Sequence, residues 1–156
     1  MQEAREIGLN FAGQERVERY VENHLRVLES SRVCYQHDDY HPGNLVVYRE
    51  QFAGVIDFNR SDWGDPIEDF YKVPWFSVAA SIPFARGQIS GYLSASGMED
   101  FWLRYNLFVA MNLHGSLVWE HQNSPPERQS RWQIQIEEML KAHDLENSGP
   151  PRWFGT

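Results

Sequence analysis

The stretch that explains most about this chain reads Gln36-His37-Asp38-Asp39-Tyr40-His41-Pro42-Gly43-Asn44. Its Pro-Gly pair favours a tight turn, so the loop can fold back and bring Asp39 and Asn44 to the same small volume. Neither residue could reach the other from one straight strand. A second acidic position follows in Ile56-Asp57-Phe58, thirteen residues after Asn44 at the end of an apolar run. These three positions are the candidate functional residues.

Asp39, Asn44 and Asp57 together supply two carboxylates and one side-chain amide. Carboxylate and amide oxygens are the hard ligands that Mg²⁺ prefers. Phosphoryl transfer depends on positioning and on charge neutralisation by Mg²⁺ more than on covalent help from the protein. In that chemistry Asp39 is suited to accept or orient the proton of an attacking hydroxyl, and Asn44 and Asp57 are suited to hold the metal. The trio therefore predicts phosphoryl transfer from Mg-ATP.

The pattern His37-x-Asp39-x4-Asn44, followed by Asp57-Phe58, resembles the catalytic and metal-binding loops of protein kinase-like enzymes. The sequence from Val33 to Phe70, which includes Gly64-Asp65-Pro66 and Asp69, resembles that of the aminoglycoside phosphotransferase family of small-molecule kinases. The resemblance implies that Asp39 is the catalytic aspartate and that His37 braces the catalytic loop. It also implies that Asn44 and Asp57 bind the metal and, through it, the nucleotide.

The same resemblance implies Mg²⁺ and ATP, or GTP, as cofactors and a small hydroxylated molecule, such as an aminoglycoside, as acceptor. The chain departs from the family pattern at Asp38, where the family commonly has glycine, and at Asn59, where protein kinases have glycine. The first departure leaves the assignment between Asp38 and Asp39 open.

A kinase of this type also has an amino-terminal lobe, with a phosphate-covering loop and a strand lysine that reaches the phosphates. Only thirty-two residues precede Val33, and the two lysines, Lys72 and Lys141, both follow the catalytic stretch. We therefore expect a single domain over residues 1–156 that forms the carboxy-terminal lobe alone, inactive by itself. Its fold class should be α+β and mostly helical, with a short β-hairpin that carries the catalytic and metal loops.

The composition, with 42% hydrophobic, 14% aromatic and 23% charged residues, indicates a folded globular protein. Without the other lobe, some of its six tryptophans and nine phenylalanines should face solvent, and such patches favour association, including a homodimer. A net charge of −8 argues against nucleic-acid binding and is compatible with a cationic substrate.

The chain has no signal peptide pattern and no apolar run of about eighteen residues, so we expect no membrane partner. Its single cysteine, Cys34, lies in an apolar run and is predicted to be a buried structural thiol. A reducing, cytoplasmic location fits both observations.

Apolar periodicity predicts an amphipathic helix over 14–30, which precedes a strand at 33–35. A hairpin with buried apolar side chains should pair 45–48 with 52–56 through a turn at 49–51. A helix should begin at Asp65 as N-cap, with Pro66 at its first position and Glu68 in a capping box, and Pro74 should distort it. Further helices are predicted at 83–94, at 98–121 and up to about His143, before an irregular tail from 146.

Other interpretations of the same residues compete with the kinase hypothesis. Asp and Asn favour turns and caps for their own hydrogen-bonding reasons. His37-x3-His41 has a zinc-ligand spacing, although Pro42 argues against a helix there. His37-Asp38 also matches a pair found in metal-dependent phosphohydrolases. Asp65, Glu68 and Asp69 are expected to be structural. From a different functional class, a non-catalytic kinase-like binding or assembly module remains the main alternative.

Overall fold

The computed structural model describes residue 6 and residues 8–155, for 126–130 at the level of the backbone. The fold is α+β and mostly helical, as predicted. The longer helices are α1 (Gln14–His24), α2 (Ile82–Ser96), α3 (Phe101–Asn123) and α4 (Pro126–Ala142). The strands are β1 (Cys34–Gln36), β2 (Leu45–Tyr48), β3 (Gln51–Val55) and β4 (Asp62–Gly64). Single helical turns cover Leu25–Ser30, Pro42–Asn44, Phe58–Arg60, Glu68–Lys72, Val73–Ser77, Val78–Ala80 and Arg152–Gly155.

The chain divides into two compact units. Val27–Tyr105 form one, which we call the loop unit, and the described residues up to Arg26 and from Asn106 onward form the other, which we call the helical unit. The candidate functional residues all lie in the loop unit. The expectation of a single domain over 1–156 stays a prediction.

The loop unit contains two small antiparallel sheets. β1 pairs with β4, with Cys34 opposite Gly64, and β2 pairs with β3, with Leu45 opposite Val55. The second sheet is the predicted hairpin, whereas β4 had no signal in the sequence because it has only three residues. Cys34 is free and half-buried, so the prediction of a buried thiol is wrong: a two-stranded sheet leaves part of β1 uncovered.

The hairpin turn differs from the prediction. It consists of Arg49 and Glu50 alone, with φ angles of 49° and 63°, and Gln51 is already the first residue of β3. Two left-handed residues in succession are typical of the two-residue turn whose twist matches that of the flanking strands. The predicted three-residue turn is therefore wrong by one residue.

The apolar side chains of the hairpin are exposed, contrary to the prediction. Val47 and Phe52 are 65% and 66% exposed, and Tyr48 is similarly uncovered. A two-stranded ribbon buries its side chains only where another element covers it. In the described part of the chain these positions are not covered, which agrees with the expectation that some aromatic residues face solvent.

The helix predicted from Asp65 forms in three pieces. Asp65 Oδ1 accepts a hydrogen bond of 2.9 Å from the Ile67 amide, so it caps the turn as expected. The first helical turn then begins only at Glu68 and is 3₁₀, and a π-helical turn containing Pro74 follows. Distortion at Pro74 is confirmed. The capping box is wrong, because the turn that begins at Glu68 has no side-chain cap hydrogen bond.

The predicted later helices are present with small changes of boundary. α2 begins where the Ser81 hydroxyl accepts a hydrogen bond from the Phe84 amide and ends at Gly97, whose φ of 61° suits glycine. α3 is buried at most positions from Phe101 to Val118, as its apolar circumference predicted. The helix predicted over 14–30 is α-helical only to His24. The tail contains one helical turn.

The helical unit packs around α1 and the later helices. Its buried apolar residues are Phe11, Val17, Tyr20, Val21, Leu107, Phe108, Val109, Ala110, Leu113, Leu117, Val118, Ile136, Met139, Leu140 and Leu145. His143 is also buried, and its Nδ1 donates a hydrogen bond of 2.7 Å to the Met139 carbonyl. None of the helices in the described part of the chain combines the length and apolar composition that crossing a bilayer requires.

Replacing Glu50 with glycine should stabilise the protein by about 0.5–1 kcal/mol, because glycine adopts the left-handed conformation without the steric penalty of a side chain. Urea unfolding of the wild type and the variant would measure this. Gln51→Gly is the matched control: Gln51 is also exposed but lies in a strand, so the same substitution should destabilise. Equal effects at both positions would contradict the strained-turn explanation.

Acid should destabilise the protein in part through His143. Burial lowers the pKa of His143 to about 4, whereas an unfolded histidine titrates near 6.5. Between those values the unfolded chain binds a proton that the folded chain does not, so the free energy of unfolding falls as pH decreases through this window. His143→Asn should remove this component, and His121→Asn, at an exposed position, should not. An unchanged pH dependence in His143→Asn would contradict it.

Candidate active site

The loop after β1 turns back on itself as predicted. Pro42–Asn44 form a 3₁₀ turn, at whose start the His41 Nδ1 accepts a hydrogen bond of 3.1 Å from the Gly43 amide. A Cβ atom at Gly43 would lie 2.8 Å from the His41 ring, so glycine is required for this close approach. β2 begins directly after the turn, which fixes Asn44 at the end of the hairpin.

Asp39 and Asn44 are in direct contact. The Asn44 Nδ2 donates to the Asp39 carbonyl at 2.8 Å and to the Asp39 Oδ2 at 3.3 Å. Asn44 is buried, so these bonds hold its amide in one orientation. Both use Nδ2, and the remaining oxygen, Oδ1, is the atom that a metal ion would take.

Asp57 lies at the same end of the hairpin. The Ile56 amide donates a hydrogen bond of 3.0 Å to the Asn44 carbonyl, so the pairing of β2 and β3 continues one step beyond the strands. Asp57 is the next residue; it is exposed and its φ of 67° is left-handed. A non-glycine residue in this conformation costs energy and is common at functional sites, although Asp tolerates it better than most residues.

His37 links the two loops. Its Nε2 lies 2.8 Å from the Ile56 carbonyl, and its Nδ1 accepts a hydrogen bond of 3.2 Å from the Asp39 amide. Because a carbonyl can only accept, the proton is assigned to Nε2. The ring also packs 4.5 Å from the ring of Phe58. These contacts are those expected of a residue that braces the loop.

Asp69 holds the backbone of the loop. Its carboxylate accepts hydrogen bonds from the His37 amide at 3.0 Å and from the Asp38 amide at 2.7 Å. Asp38 has a left-handed φ of 55°, and these bonds stabilise the conformation. The sequence placed Asp69 among the structural residues, and its contacts agree.

Lys72 is the residue that sequence reasoning missed. Its Nζ lies 2.7 Å from Asp39 Oδ1 and also donates to the Asp38 carbonyl. Lysines were considered only as candidates for the phosphate-binding strand that precedes a kinase catalytic loop. The spacing offered a signal, because Lys72 follows Asp69 by three residues and helical residues three apart share a face.

The two neighbouring aspartates have different electrostatic surroundings. Burial alone would raise the pKa of Asp39, but the hydrogen bond and charge of Lys72, together with His41 and Arg60, lower it below its ordinary value. Burial raises the pKa of Asp38, and Lys72 offsets only part of that effect. The side chain in contact with Asn44 and Lys72 is that of Asp39, which favours Asp39 over Asp38 as the working carboxylate.

The oxygens of Asn44 and Asp57 fit Mg²⁺ better than zinc. In the described residues, no three or more His, Cys, Asp or Glu side chains converge on a possible metal position. The His41 ring stacks on Phe76 at 4.8 Å instead of joining such a group with His37. Asn44 and Asp57 would hold Mg²⁺ through one amide oxygen and one carboxylate, and water or phosphate oxygens would supply its other ligands.

A buried ion pair between Arg104 and Asp65 lies next to the start of the loop. Arg104 Nη1 lies 2.6 Å from Asp65 Oδ2, and both side chains are 5% exposed. Arg104 also donates to the hydroxyls of Ser30 and Ser31 and, from Nε, to the Asp100 carboxylate at 2.6 Å, so all three guanidinium nitrogens make hydrogen bonds. The Asp65 carbonyl in turn accepts a hydrogen bond from Gln36, the residue before His37. The predicted structural role of Asp65 is consistent with these contacts.

The chain matches a class of enzymes that transfer phosphoryl groups. A model of the phosphotransferase enzyme family, APH, matches residues 3–108, which include the whole candidate site. The chain belongs to this family, and the family resemblance inferred from its sequence motifs is confirmed. No curated protein and no solved structure gives a significant match to the chain.

Removing Arg104 should strongly destabilise the protein. Arg104→Met leaves the Asp65 carboxylate buried without its cation, and breaking a buried pair in this way typically costs about 3–5 kcal/mol. Chemical denaturation would measure the loss. The double variant Arg104→Met/Asp65→Asn should recover part of the stability because the buried charge is gone, while Asn can still accept from the Ile67 amide. A loss below about 1 kcal/mol in the single variant would show that the pair contributes little.

Proposed function

We propose that this chain is the catalytic, carboxy-terminal lobe of a small-molecule kinase. It transfers the γ-phosphoryl group of ATP, or of GTP, to a hydroxyl group of a small acceptor. Membership of the phosphotransferase family supports the reaction class. A cytoplasmic location, where ATP is available, belongs to the same proposal.

One observation carries the proposal beyond the family. The side-chain amide of Asn44 is bonded to Asp39 at the end of a hairpin whose other strand leads directly to Asp57. This contact supports the proposal, because phosphoryl transfer depends on positioning: Asp39 would orient the acceptor, and the free Asn44 Oδ1 is an oxygen suited to a metal ion.

Each residue then has a defined task. Asp39 accepts a hydrogen bond from the attacking hydroxyl and receives its proton. Asn44 and Asp57 would hold Mg²⁺, which would supply positive charge to neutralise the nucleotide phosphates. His37 keeps the loops of Asp39 and Asp57 in register through its bonds to the Asp39 amide and the Ile56 carbonyl.

The acceptor is proposed to be a hydroxylated and cationic molecule, with aminoglycosides as the first class to test. The net charge of −8 is compatible with such a substrate. Substrate recognition is assigned to the helices that follow the site in the sequence. The loops around Asp39 and Asp57 already have roles in proton transfer and metal binding.

A non-catalytic binding or assembly module is the second candidate. The exposed apolar side chains of the hairpin favour it, because contiguous apolar surface commonly marks an interface, here with a second copy or with another protein. This candidate would be supported if the protein bound no nucleotide under any condition tested and associated with a partner through this hairpin.

Replacing Asp39 should greatly reduce the rate of phosphoryl transfer. The assay uses the longest form of the protein that its gene encodes. Asp39→Asn removes the proton acceptor and should lower kcat by about 10²–10⁴-fold with an aminoglycoside panel and Mg-ATP. Coupled ADP release and mass spectrometry of the acceptor would measure it. Removing Mg²⁺ with a chelator should have an effect at least as large.

Asp62→Asn is the matched control, since Asp62 is exposed, lies in β4 and uses its carboxylate to accept a hydrogen bond from the neighbouring Trp63 amide. Its kcat should equal that of the wild type. A kcat of Asp39→Asn close to that of the wild type would remove Asp39 from its assigned role. The 156-residue chain alone should show negligible turnover, and a robust rate from it would contradict the proposal that another lobe is needed.

A further inference from the structure

Lys72 is a buried cation at the centre of the loop unit's polar network. It is 4% exposed, and its Nζ donates to two acceptors on consecutive residues, the Asp38 carbonyl and Asp39 Oδ1. A buried ammonium is retained at low cost only when it is paired and hydrogen-bonded, which these acceptors achieve. The pairing is thus specific to the segment that carries the candidate catalytic aspartate.

The two bonds of Lys72 complement those of Asp69. Asp69 accepts from the His37 and Asp38 amides, and Lys72 donates to the Asp38 carbonyl, so the peptide groups on both sides of left-handed Asp38 are held. Both side chains leave one 3₁₀ turn, Glu68–Lys72, in which residues three apart are eclipsed. One turn thus supplies an anion, Asp69, that binds two amide donors of the loop and a cation, Lys72, that binds one of its carbonyl oxygens.

Lys72 also orients the Asp39 carboxylate. Oδ1 accepts from Lys72 at 2.7 Å, while Oδ2 accepts from Asn44 at 3.3 Å and lies 3.7 Å from the His41 Nε2. With a partner on each oxygen, the carboxylate cannot rotate without losing a hydrogen bond. Orientation matters for phosphoryl transfer, because small displacements of a reacting group reduce the rate steeply.

We propose that Lys72 is a positioning residue for phosphoryl transfer: its ammonium ties the Asp38 carbonyl to the Asp39 carboxylate and so aims Asp39 at the acceptor hydroxyl. The inference rests on the proposed function and adds a residue to it. A kinase strand lysine acts on the nucleotide phosphates, whereas Lys72 acts through Asp39, from the carboxy-terminal side of the catalytic loop.

A spectroscopic test is available in the wild-type protein because the chain has only two lysines. Lys141 is exposed and serves as the internal reference. With ¹⁵N-labelled lysine, the Lys72 ammonium should give a slowly exchanging NMR signal with a coupling across the hydrogen bond to the Asp39 carboxylate carbon. The Lys141 signal should exchange rapidly. Equal, rapid exchange of both ammonium groups would overturn the inference.

A kinetic test separates positioning from a purely structural role. In the full-length protein, Lys72→Met should lower kcat and kcat/KM equally, by about 10²-fold, with KM for ATP and acceptor unchanged. Lys72→Arg, which keeps the charge, should recover part of kcat. Lys141→Met is the matched control and should retain wild-type kinetics. A Lys72→Met protein that is folded and fully active would overturn the inference.

The outcomes distinguish this inference from the function on which it rests. If Lys72→Met does not fold, Lys72→Arg and the wild-type ammonium signal still decide: a protected signal with partial kcat supports the role, and an unprotected one refutes it. Absence of phosphoryl transfer by the wild type would overturn the proposed function and, with it, the role of Lys72. A normal rate together with a freely exchanging Lys72 would overturn the inference alone.

Discussion

The carboxylate of Asp69 is the constraint on which the rest of the candidate site depends. It accepts the amide protons of His37 and Asp38, and these bonds hold Asp38 in a left-handed conformation that an aspartate would otherwise occupy only at a cost. The reversal at Asp38 sends the chain from β1 into the loop that carries Asp39. Without it, Asp39 could not meet Asn44 on one side and Lys72 on the other.

The support for Asp69 extends outward in layers. Asp69 lies on the short turn Glu68–Lys72. Just before this turn the buried carboxylate of Asp65 accepts a hydrogen bond from the Ile67 amide and forms an ion pair with Arg104. Asp65 also accepts a hydrogen bond from Gln36 through its carbonyl, which ties β1 to the same anchor. Buried polar groups are costly unless they are all paired. Here a chain of paired groups connects the interior of the loop unit to the segment that carries His37 and Asp39.

The hairpin combines local rigidity with an uncovered surface. Its two-residue turn and short strands place Asn44 and Asp57 at one end, while Val47, Tyr48 and Phe52 face outward. If the proposed kinase works with another part of the protein, that part would cover these apolar side chains. The same surface is what a binding module would use, so the hairpin serves both candidate functions and the chemistry of Asp39 separates them.

Much of the site could be predicted from sequence because its signals are local. The Pro-Gly turn brings Asp39 and Asn44 together over five residues, and the apolar periodicity of α1 needs only neighbouring positions. The distortion at Pro74 is likewise a property of proline itself. The family resemblance followed from the same short stretch and is confirmed by the family model.

The features that sequence reasoning missed or misjudged depend on contacts between distant residues. Lys72 meets Asp39 across 33 positions, Arg104 meets Asp65 across 39, and β4 exists only because β1 lies beside it. Exposure of the hairpin and of Cys34 depends on what covers them, which no local pattern records. The sequence by itself thus determined the turn that joins Asp39 to Asn44 and the positions of the longer helices, since turns and periodicity are short-range. Only the tertiary structure decided which charges hold them, since those partners are brought together by folding.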